Sequence, residues 1–532
     1  MHIKRTALAA LAVAAVTAAG TASVLAGPGT ASADTTADAA LVGTLDGVLA
    51  STRLAGSTTA LQVRDAATGA VIYSRNADQR VVPASNEKLM TSAAALEVLG
   101  TGYRFHTAAR YTGTRRGTTV KGSIYLHGQG DPTMTYAQFD ALAAAVARSG
   151  VKKFTGSLVA DDTWFDRQPL GLDWSWQDET YADTAAISAL TVAADANFDT
   201  GAVAILSEPG AAAGEPAVLT LSPANSVVKI VNESTTGAAG SADTLTASRA
   251  HGTDTITVTG SRPLAATTVK TTLVAVRDPA QVAVGVFRDA LERHGVTVAG
   301  PTTVGATPST AKTIVDHASI TLGRLLPYFL KLSNNGHAEL LTKAMGRATT
   351  PASAGSWPTG LAASTAALTR LGVDTSLITM GDGSGLSRRD WLTTAQIAAL
   401  LTAAQTRPWF TTWYDALPIA GNPDPLVGGT LRSRMVGTLA ANNVHAKSGT
   451  LSGVNALSGF VKDRAGRLLV FSSISNAAPA NVADLLDTAA IAMAGSGGTQ
   501  ATTRDARTVP AARHVVTRNG QDVECSWVPD AC

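Results

Sequence analysis

The spacing of apolar side chains near the start of the chain changes from a two-residue period to a helical one. Apolar and polar residues alternate over 59–65 and over 70–74, and a turn sequence that ends in Gly69 separates the two runs. This pattern is typical of a β-hairpin. Residues 86–99 follow with helical spacing, and Gly100 ends them. The N-terminal part is therefore predicted to contain a hairpin and a helix.

Residues 105–310 have a different pattern, with short strands between Gly- and Thr-rich turns and two helices, at 136–149 and 279–294. After residue 321 the spacing is helical again, and three strands with tight connections complete the pattern. The later helices are predicted at 322–332, 337–345, 361–371 and 393–402, and the strands at 444–451, 454–462 and 468–474. We therefore predict one α/β domain built from both ends of the chain, interrupted by about 200 residues of mixed or β-rich chain.

The first residues have the features of an export signal. Lys4 and Arg5 are followed by residues 6–33, which carry no charge and are rich in Ala, Leu and Val. The sequence Ala31-Ser32-Ala33 matches a cleavage pattern, so residues 1–33 are predicted to be a signal peptide. An uncleaved membrane anchor is the alternative. No later stretch is long and apolar enough to span a bilayer, so no stable membrane span is expected after cleavage.

The two cysteines of the chain, Cys525 and Cys532, lie close to its C-terminus. Export leads to a compartment in which disulfides persist, and these residues can then close a small loop. Two free thiols are the alternative. Two cysteines cannot form a four-thiolate metal site, and the HExxH pattern does not occur in the sequence. We therefore expect no metal and no cofactor.

Composition and charge narrow the function classes. Of the 532 residues, 45% are hydrophobic and 15% are charged, which supports a large core and argues against disorder. The formal net charge is only +2 at pH 7, and a nucleic-acid-binding protein needs a basic surface to displace counterions. We therefore expect no nucleic-acid partner.

Three short motifs carry candidate chemistry, and each falls at a defined place in the predicted pattern. They are Ser85-Asn86-Glu87-Lys88 at the start of a helix, Ser333-Asn334-Asn335 between two helices, and Lys447-Ser448-Gly449-Thr450 on a strand. Each motif alone is common in proteins of other functions. The three in this order are typical of penicillin-binding proteins and class A β-lactamases.

The residue types in these motifs suit acyl transfer by a serine nucleophile. Ser85 and Lys88 lie three residues apart on one helix face, and a serine hydroxyl needs an adjacent base. A buried lysine near a second cation, here Lys447, can lose its proton near neutral pH and act as that base. The backbone N–H groups of Ser85 and Thr450 are candidates for an oxyanion hole. The candidates for a proton relay to the leaving nitrogen and for a hydrogen bond to the substrate backbone are Ser333 and Asn335.

The sequence resembles the low-molecular-mass class C penicillin-binding proteins of the D-Ala-D-Ala carboxypeptidase/endopeptidase type. The resemblance extends from residue 41 to the C-terminus, and the end of the sequence is similar to the actinomycete DD-peptidase branch. Besides the three motifs, it rests on the segments 83–89, 128–133, 160–166, 331–339, 382–388, 427–431 and 524–532. It implies an α/β fold in which a penicillin-recognising, transpeptidase-like (β-lactamase-like) domain is split by a mixed or β-rich insertion of two domains.

The same resemblance implies a division of the chain into domains. The parts are residues 34–104 and 312–532 for the catalytic domain, 105–111 and 200–311 for a β-rich inserted domain, and 112–199 for a second, α/β inserted domain. Ser85 and Ser333 lie 248 residues apart, an interval longer than a compact β-lactamase has.

The resemblance also implies roles for the residues of the motifs. Ser85 is expected to be the acylated nucleophile and Lys88 its base. The second motif contributes Ser333 and Asn335, and the third contributes Lys447, Ser448, Gly449 and Thr450, with hydroxyl groups that bind the terminal carboxylate of the substrate.

Four charged residues outside these roles receive separate interpretations. Asp178 aligns with an acid of this family that can bind the side-chain ammonium group of a peptidoglycan stem peptide. Arg388 can contact the carboxylate beside that ammonium group. Ordinary surface charges are the alternative for both. In the family that the sequence resembles, an apolar residue is common at the position of Glu87. We expect the Glu87 side chain to point away from Ser85 into solvent. His337 is expected to be structural.

The resemblance implies an exported, cell-wall-associated serine DD-peptidase. Such an enzyme removes terminal D-Ala from peptidoglycan stem peptides, or cleaves D-amino-acid cross-links in them, and β-lactam antibiotics acylate it. A β-lactamase or esterase of the same fold and a non-catalytic cell-wall-binding module are the alternatives. The sequence leaves open the balance of carboxypeptidase and endopeptidase activity, the oligomeric state and the role of the inserted domains.

Overall fold

A computed structural model of the chain describes residues 35–497. The predicted signal peptide at 1–33 and the predicted pairing of Cys525 with Cys532 lie outside the described residues. Within residues 35–497, no helix combines the length and the apolar character needed to cross a membrane.

The described chain contains both helices and strands throughout. The helices are α1 (Thr35–Leu49), α2 (Glu87–Val98), α3 (Tyr136–Arg148), α4 (Pro279–Arg293), α5 (Leu322–Leu330), α6 (Asn335–Thr349), α7 (Trp357–Arg370), α8 (Thr394–Ala404), α9 (Phe410–Asp415) and α10 (Ala483–Gly495). The strands are β1 (Thr58–Asp65), β2 (Val71–Arg75), β3 (His106–Tyr111), β4 (Thr114–Arg116), β5 (Thr119–Lys121), β6 (Ile124–Gly128), β7 (Lys153–Phe154), β8 (Leu158–Asp161), β9 (Ala202–Glu208), β10 (Val218–Ser222), β11 (Lys229–Asn232), β12 (Thr235–Gly237), β13 (Thr246–Arg249), β14 (Thr255–Thr259), β15 (Ser261–Pro263), β16 (Lys270–Ala275), β17 (Thr297–Val298), β18 (Thr302–Val304), β19 (Lys312–Ala318), β20 (His445–Leu451), β21 (Val454–Lys462) and β22 (Leu468–Asn476). The predicted α/β class is confirmed.

A five-stranded antiparallel sheet joins the two ends of the described chain. Its strand order is β2-β1-β22-β21-β20, so β1 of the N-terminal hairpin pairs with β22. This pairing runs from Thr58 opposite Asn476 to Asp65 opposite Leu469. The predicted hairpin and the three predicted C-terminal strands are confirmed in this sheet.

Both faces of this sheet are covered by helices. Successive residues of a strand point to opposite faces. Val470 of β22 therefore packs in one apolar core with α2, α6 and α8, while Phe471 packs in another with α1 and α10. Helix α10 was not predicted. Its N-cap residue, Val482, makes no side-chain capping bond, although the acidic Asp484 lies in its first turn.

Helix α2 lies in the middle of the helical layer. All its residues from Glu87 to Leu96 are buried, and α6, α7 and α8 pack around it. A helix enclosed in this way has no solvent face. Polar residues at its start therefore lie inside the protein.

The chain between α2 and α5 has its own apolar core. Its largest sheet has the strand order β18-β8-β6-β3-β19, and the rings of Phe139 on α3 and Phe287 on α4 pack with their centroids 6.5 Å apart. The bounds of the two inserted domains stay a prediction. Strand β3 pairs with β6, so one sheet continues across the predicted boundary at residue 112.

The close approach of β20 to β21 requires glycine at position 459. A Cβ atom at Gly459 would lie 2.1 Å from the His445 carbonyl oxygen and 2.6 Å from the Ala446 Cα. We expect Gly459→Ala to lower the thermal unfolding midpoint, because such overpacking costs about 1–3 kcal/mol. The control is Gly43→Ala in α1, where nothing lies within 4 Å of the added Cβ and alanine favours the helix, so the midpoint rises. An unchanged midpoint for Gly459→Ala would contradict this account of the sheet.

Candidate active site

The three sequence motifs meet between the five-stranded sheet and the helical layer. The first lies at a short 3-10 helix, Ala84–Asn86, directly before α2; the second precedes and begins α6; the third lies on β20. The five side chains predicted to be catalytic are all buried, and they are Ser85, Lys88, Ser333, Asn335 and Lys447. The fold therefore brings together residues that are up to 362 positions apart in the sequence.

Lys88 is fully buried and lies against the hydroxyl group of Ser85. Its Nζ is 2.7 Å from Ser85 Oγ, 2.6 Å from Asn335 Oδ1 and 2.8 Å from the Ser384 carbonyl oxygen. The first distance is the one expected between a nucleophile and its general base. The other two contacts hold the Nζ in place from two further segments of the chain.

Lys447 makes the equivalent contact with the second motif. Its Nζ is 2.8 Å from Ser333 Oγ and 2.6 Å from the Ser448 carbonyl oxygen. The Asn86 side chain donates a hydrogen bond to the Lys447 carbonyl, over 3.1 Å, and so ties the first motif to the third. The site thus contains two serine–lysine pairs, Ser85 with Lys88 and Ser333 with Lys447.

Two positions in the site have left-handed backbone conformations that non-glycine residues rarely adopt. Ala84, directly before Ser85, has φ +48°, and Ser333 has φ +59°. Such conformations cost of order 1–3 kcal/mol each and persist only where surrounding contacts fix them. They turn the chain sharply at the start of the first motif and at the first residue of the second.

Strand β20 approaches the first motif so closely that it requires glycine. A Cβ atom on Gly449 would lie 2.9 Å from the Ser85 backbone nitrogen and 3.0 Å from the Pro83 carbonyl oxygen. The neighbouring Ser448 is buried and donates a hydrogen bond of 2.7 Å to Thr430 Oγ1, while Thr450 is half-buried. Gly449 therefore borders the first serine–lysine pair, and Ser448 and Thr450 flank it on the same strand.

The chain between α2 and α5 also contributes to the site. Asn335 Nδ2 donates to the Asp183 carbonyl oxygen over 2.9 Å, which orients Asn335 Oδ1 toward Lys88. The side chain of Asn334 accepts from the His337 N–H as the cap of α6 and donates to Asp199 Oδ1 over 2.7 Å. The second motif is thus held by residues from the inserted part of the chain.

Asp178 and Arg388 line the same pocket. Asp178 is half-buried in the 3-10 helix Trp176–Asp178, and Arg388 is exposed and donates to the Ser452 carbonyl oxygen over 3.0 Å. The remaining wall residues are Asp173, Ser175, Thr184, Leu386 and Leu451. The pocket therefore offers charges of both signs beside apolar walls, and Leu451 follows directly after the third motif.

The prediction that Glu87 is a solvated surface residue is wrong. Its side chain is fully buried, and a Cβ atom on Gly385 would lie 3.0 Å from Glu87 Cβ. Burial, followed by the charges of Asp382 and Glu339, raises the pKa of Glu87 well above its ordinary value. The sequence argument assumed that α2 has an exposed face, and the fold leaves it none.

Three buried acids, Glu339, Asp382 and Asp390, were not predicted from the sequence to be part of the site. Burial and the charge of Asp382 raise the pKa of Glu339 to about 7, and the same causes raise the pKa of Asp390 well above its ordinary value. Asp382 itself is fully buried, and it opens a segment already noted for family resemblance, 382–388. Across residues 35–497, no group of three or more acidic, histidine or cysteine side chains has a metal-binding arrangement.

The ring of His337 binds backbone rather than the serine–lysine pairs. Its Nε2 is 2.9 Å from the Phe198 carbonyl oxygen, and the ring is fully buried. Burial lowers the pKa of His337 to about 4. These contacts agree with the structural role expected for it.

This arrangement has the groups that acyl transfer requires. Ser85 has a hydroxyl group next to the buried Lys88, and a second pair, Ser333 with Lys447, lies on two other elements of the same site. A hydroxyl group beside a buried amine is the arrangement expected of a serine nucleophile and its base.

Comparisons with known proteins find relatives along nearly the whole chain. The family model described as the D-Ala-D-Ala carboxypeptidase 3 (S13) family matches residues 41–495. A D-alanyl-D-alanine carboxypeptidase of Actinomadura sp. (strain R39) is 46% identical over 495 residues, covering 92% of this chain and 89% of the relative.

Solved structures show the same architecture. The crystal structure of penicillin binding protein 4 (dacB) from Haemophilus influenzae has a TM-score of 0.72 and 22% identity and covers 84% of this chain and 97% of that protein. A crystal structure of the same protein complexed with a novel β-lactam has a TM-score of 0.66 and 21% identity, with the same coverage. At these identities the matches show a shared fold.

The lowered pKa of His337 predicts its behaviour on acidification. The unfolded chain binds a proton on this ring near pH 6.5, whereas the folded chain binds it only near pH 4. Acidification through this window therefore favours the unfolded chain. In histidine-labelled protein, the NMR signal of His337, identified by its loss in His337→Gln, should not titrate between roughly pH 5 and pH 8. A midpoint above pH 6 would contradict the buried, neutral ring.

Proposed function

The chain belongs to the D-Ala-D-Ala carboxypeptidase 3 (S13) family, and from this premise we propose that it acts as an exported serine DD-peptidase on peptidoglycan stem peptides. Family and fold class agree with the sequence-based predictions, and the protein is a hydrolase. The observation that carries the proposal is the distance of 2.7 Å between Lys88 Nζ and Ser85 Oγ inside a buried site.

In the proposed reaction, Ser85 Oγ attacks the carbonyl carbon of the penultimate D-Ala. Neutral Lys88 takes the hydroxyl proton as the new C–O bond forms. The N–H groups of Ser85 and Thr450 stabilise the negative charge on the carbonyl oxygen. When the C–N bond breaks, Ser333 passes its proton to the leaving D-Ala and takes up the proton held by Lys88, and Lys447 supports this transfer through its contact with Ser333 Oγ. Water then hydrolyses the acyl-enzyme and frees Ser85.

The second cation supports the use of Lys88 as a base. A buried ammonium group is costly unless it is paired, so burial favours the neutral amine. Lys447 is also fully buried, and its Nζ contacts Ser333 Oγ. Lys447 therefore adds positive charge to the site that contains the first serine–lysine pair. Lys447, with the hydroxyl groups of Ser448 and Thr450, is also suited to bind the terminal carboxylate of the substrate.

We assign the pocket of Asp178 and Arg388 to the side chain of the stem peptide. A side chain that ends in an ammonium group and a neighbouring carboxylate would meet Asp178 with the first and Arg388 with the second. Leu386 and Leu451 offer apolar walls for the methylene groups between them. The same serine chemistry would cleave a peptide cross-link as readily as a terminal D-Ala.

Acylation by β-lactams follows from the same mechanism. The structural relative from Haemophilus influenzae has been crystallised with a β-lactam. The same fold also serves class A β-lactamases, but no deacylation base of that class can be assigned here by motif. The three intact motifs argue against a non-catalytic module. The proposed substrate is part of the cell wall, so the enzyme must be exported and associated with the cell wall to reach it.

The nucleophile can be tested by intact-mass measurement with benzylpenicillin. We expect one adduct per chain that persists for many minutes, and no adduct on Ser85→Ala. The matched control is Ser92→Ala, two turns along α2, where the buried hydroxyl bonds the Leu89 carbonyl and the Trp413 indole instead of a lysine. An adduct on Ser85→Ala would overturn the assignment. Rapid loss of the drug without an adduct would indicate a β-lactamase, and neither adduct nor turnover would indicate a non-catalytic module.

The side-chain pocket can be tested with a pair of peptides. Asp178→Asn is expected to lower kcat/KM about tenfold for a D-Ala-D-Ala peptide with a free side-chain ammonium group, because a charge-assisted hydrogen bond is lost. The acetylated peptide should be hydrolysed by the variant and the parent alike. Asp173→Asn is the control, since Asp173 lines the same pocket but is paired with Arg389. Equal losses for both peptides would place the ammonium group elsewhere.

A further inference from the structure

The loop between α7 and α8, at residues 381–390, has its backbone bound by buried carboxyl groups. Asp390 accepts from the N–H groups of Gly381 and Asp382, and Glu339 accepts from the N–H of Gly383. Asp382 accepts from the N–H groups of Ser384, Gly385 and Ser387. The three acids are therefore Glu339, Asp382 and Asp390. Six N–H groups of one loop are thus held by three side chains.

Asp382 makes the largest number of these contacts. Its Oδ1 lies 3.0 Å from the Ser384 nitrogen and 2.7 Å from the Gly385 nitrogen. Its Oδ2 lies 2.7 Å from the Ser387 nitrogen and 2.8 Å from Trp174 Nε1. All four donors are thus directed at one fully buried carboxyl group.

The loop held in this way touches α2 at two points and the 3-10 helix before it at a third, all beside the nucleophile. The Ser384 carbonyl oxygen accepts from Lys88, and the Gly383 carbonyl oxygen accepts from Thr91 Oγ1 over 2.7 Å. Gly385 has φ +87°, and a Cβ atom on it would lie 1.9 Å from the Ala84 carbonyl oxygen. The position of the Ser384 carbonyl, and with it that of Lys88, therefore depends on the conformation of this loop.

The charged groups around Lys88 come from several elements. Glu87 lies on α2, Glu339 on α6, and Asp382 and Asp390 on the loop, while Lys447 on β20 is held on Ser333. Burial and the charge of Asp382 raise the pKa values of Glu87, Glu339 and Asp390. Within residues 35–497, neither side-chain oxygen of Glu87 has a hydrogen-bond partner, whereas Asp382 accepts from four donors. Asp382 is therefore the acid that is bound to the loop backbone.

We propose that Asp382 is a positioning residue for Lys88: it fixes the loop whose Ser384 carbonyl holds the Lys88 amine against Ser85 Oγ. This inference rests on the proposed function, because it assigns Asp382 to the base of that reaction. Asp382 acts through the loop and through its charge, not by contact with the substrate.

The same residue connects the base to the pocket proposed for the substrate side chain. Trp174, which bonds Asp382, lies between Asp173 and Ser175, two residues of the pocket wall. Leu386 and Arg388, on the other wall, belong to the loop that Asp382 holds. One carboxyl group thus sets the position of Lys88 and of both pocket walls relative to each other.

The test is Asp382→Asn, with the second-order rate of acylation by benzylpenicillin measured across pH by intact mass. Asparagine keeps the size, but its amide nitrogen cannot accept from the loop, and the charge is lost. We expect the plateau rate to fall at least ~10-fold, because the base is displaced from Ser85. The acidic limb of the profile should move to lower pH, since an ammonium group loses its proton more easily without a neighbouring anion.

The matched control is Asp161→Asn. Asp161 is a fully buried carboxyl group that also accepts four hydrogen bonds, from the N–H and hydroxyl groups of Thr163, from His127 and from the Thr307 N–H. None of these partners lies on α2 or in the loop. We expect its acylation profile to match that of the parent, so a general loss of stability is separated from misplacement of the base.

A second variant covers the case in which Asp382→Asn does not fold. Trp174→Phe removes one donor from Asp382 and leaves its charge, so the plateau should fall several-fold while the acidic limb stays in place. The inference is overturned if both variants fold and keep the parental plateau rate and acidic limb. If Asp382→Asn does not fold, a parental rate in Trp174→Phe alone overturns it. If the parent is not acylated on Ser85, the proposed function fails, and this inference fails with it.

Discussion

The burial of two lysine side chains is the constraint on which the site depends. A buried ammonium group without partners costs several kcal/mol, so each lysine must be surrounded by acceptors. The acceptors of Lys88 and Lys447 lie on four segments: the start of α2, the start of α6, strand β20 and the loop before α8. The contacts that satisfy the two lysine amines are therefore the contacts that place the serine hydroxyls.

The inserted part of the chain is bound into this arrangement. Backbone or side-chain groups at Asp183 and Asp199 hold the second motif, and Trp174 bonds the carboxyl group that fixes the loop beside Lys88. Left-handed conformations at Ala84 and Ser333 lie at the centre of these contacts, where the surrounding hydrogen bonds and the glycines at 385 and 449 leave the chain little freedom. Changes in the inserted segment at these points are thus changes in the active site.

Much of the fold follows from local pattern. The hairpin at 58–75, the C-terminal strands and most helices have clear periodicity, because each has a distinct apolar face or a tight turn. Helix α10 was not predicted, and its N-cap residue, Val482, makes no side-chain capping bond. The pairing of β1 with β22 joins residues more than 400 positions apart, and no local pattern reports such a partner.

The sequence by itself determined the chemistry: Ser85 three residues before Lys88, with Ser333, Asn335 and Lys447 in motifs that local turns and caps make readable. Only the tertiary structure decided which charges surround that chemistry. The sequence predicts Glu87 to be a surface residue, because its sequence neighbours give no information about the loop that covers it. Asp382 gains its role from backbone groups and from Trp174, 208 positions away. Short spacings encode reactive groups, whereas burial and electrostatic environment arise only when distant segments pack.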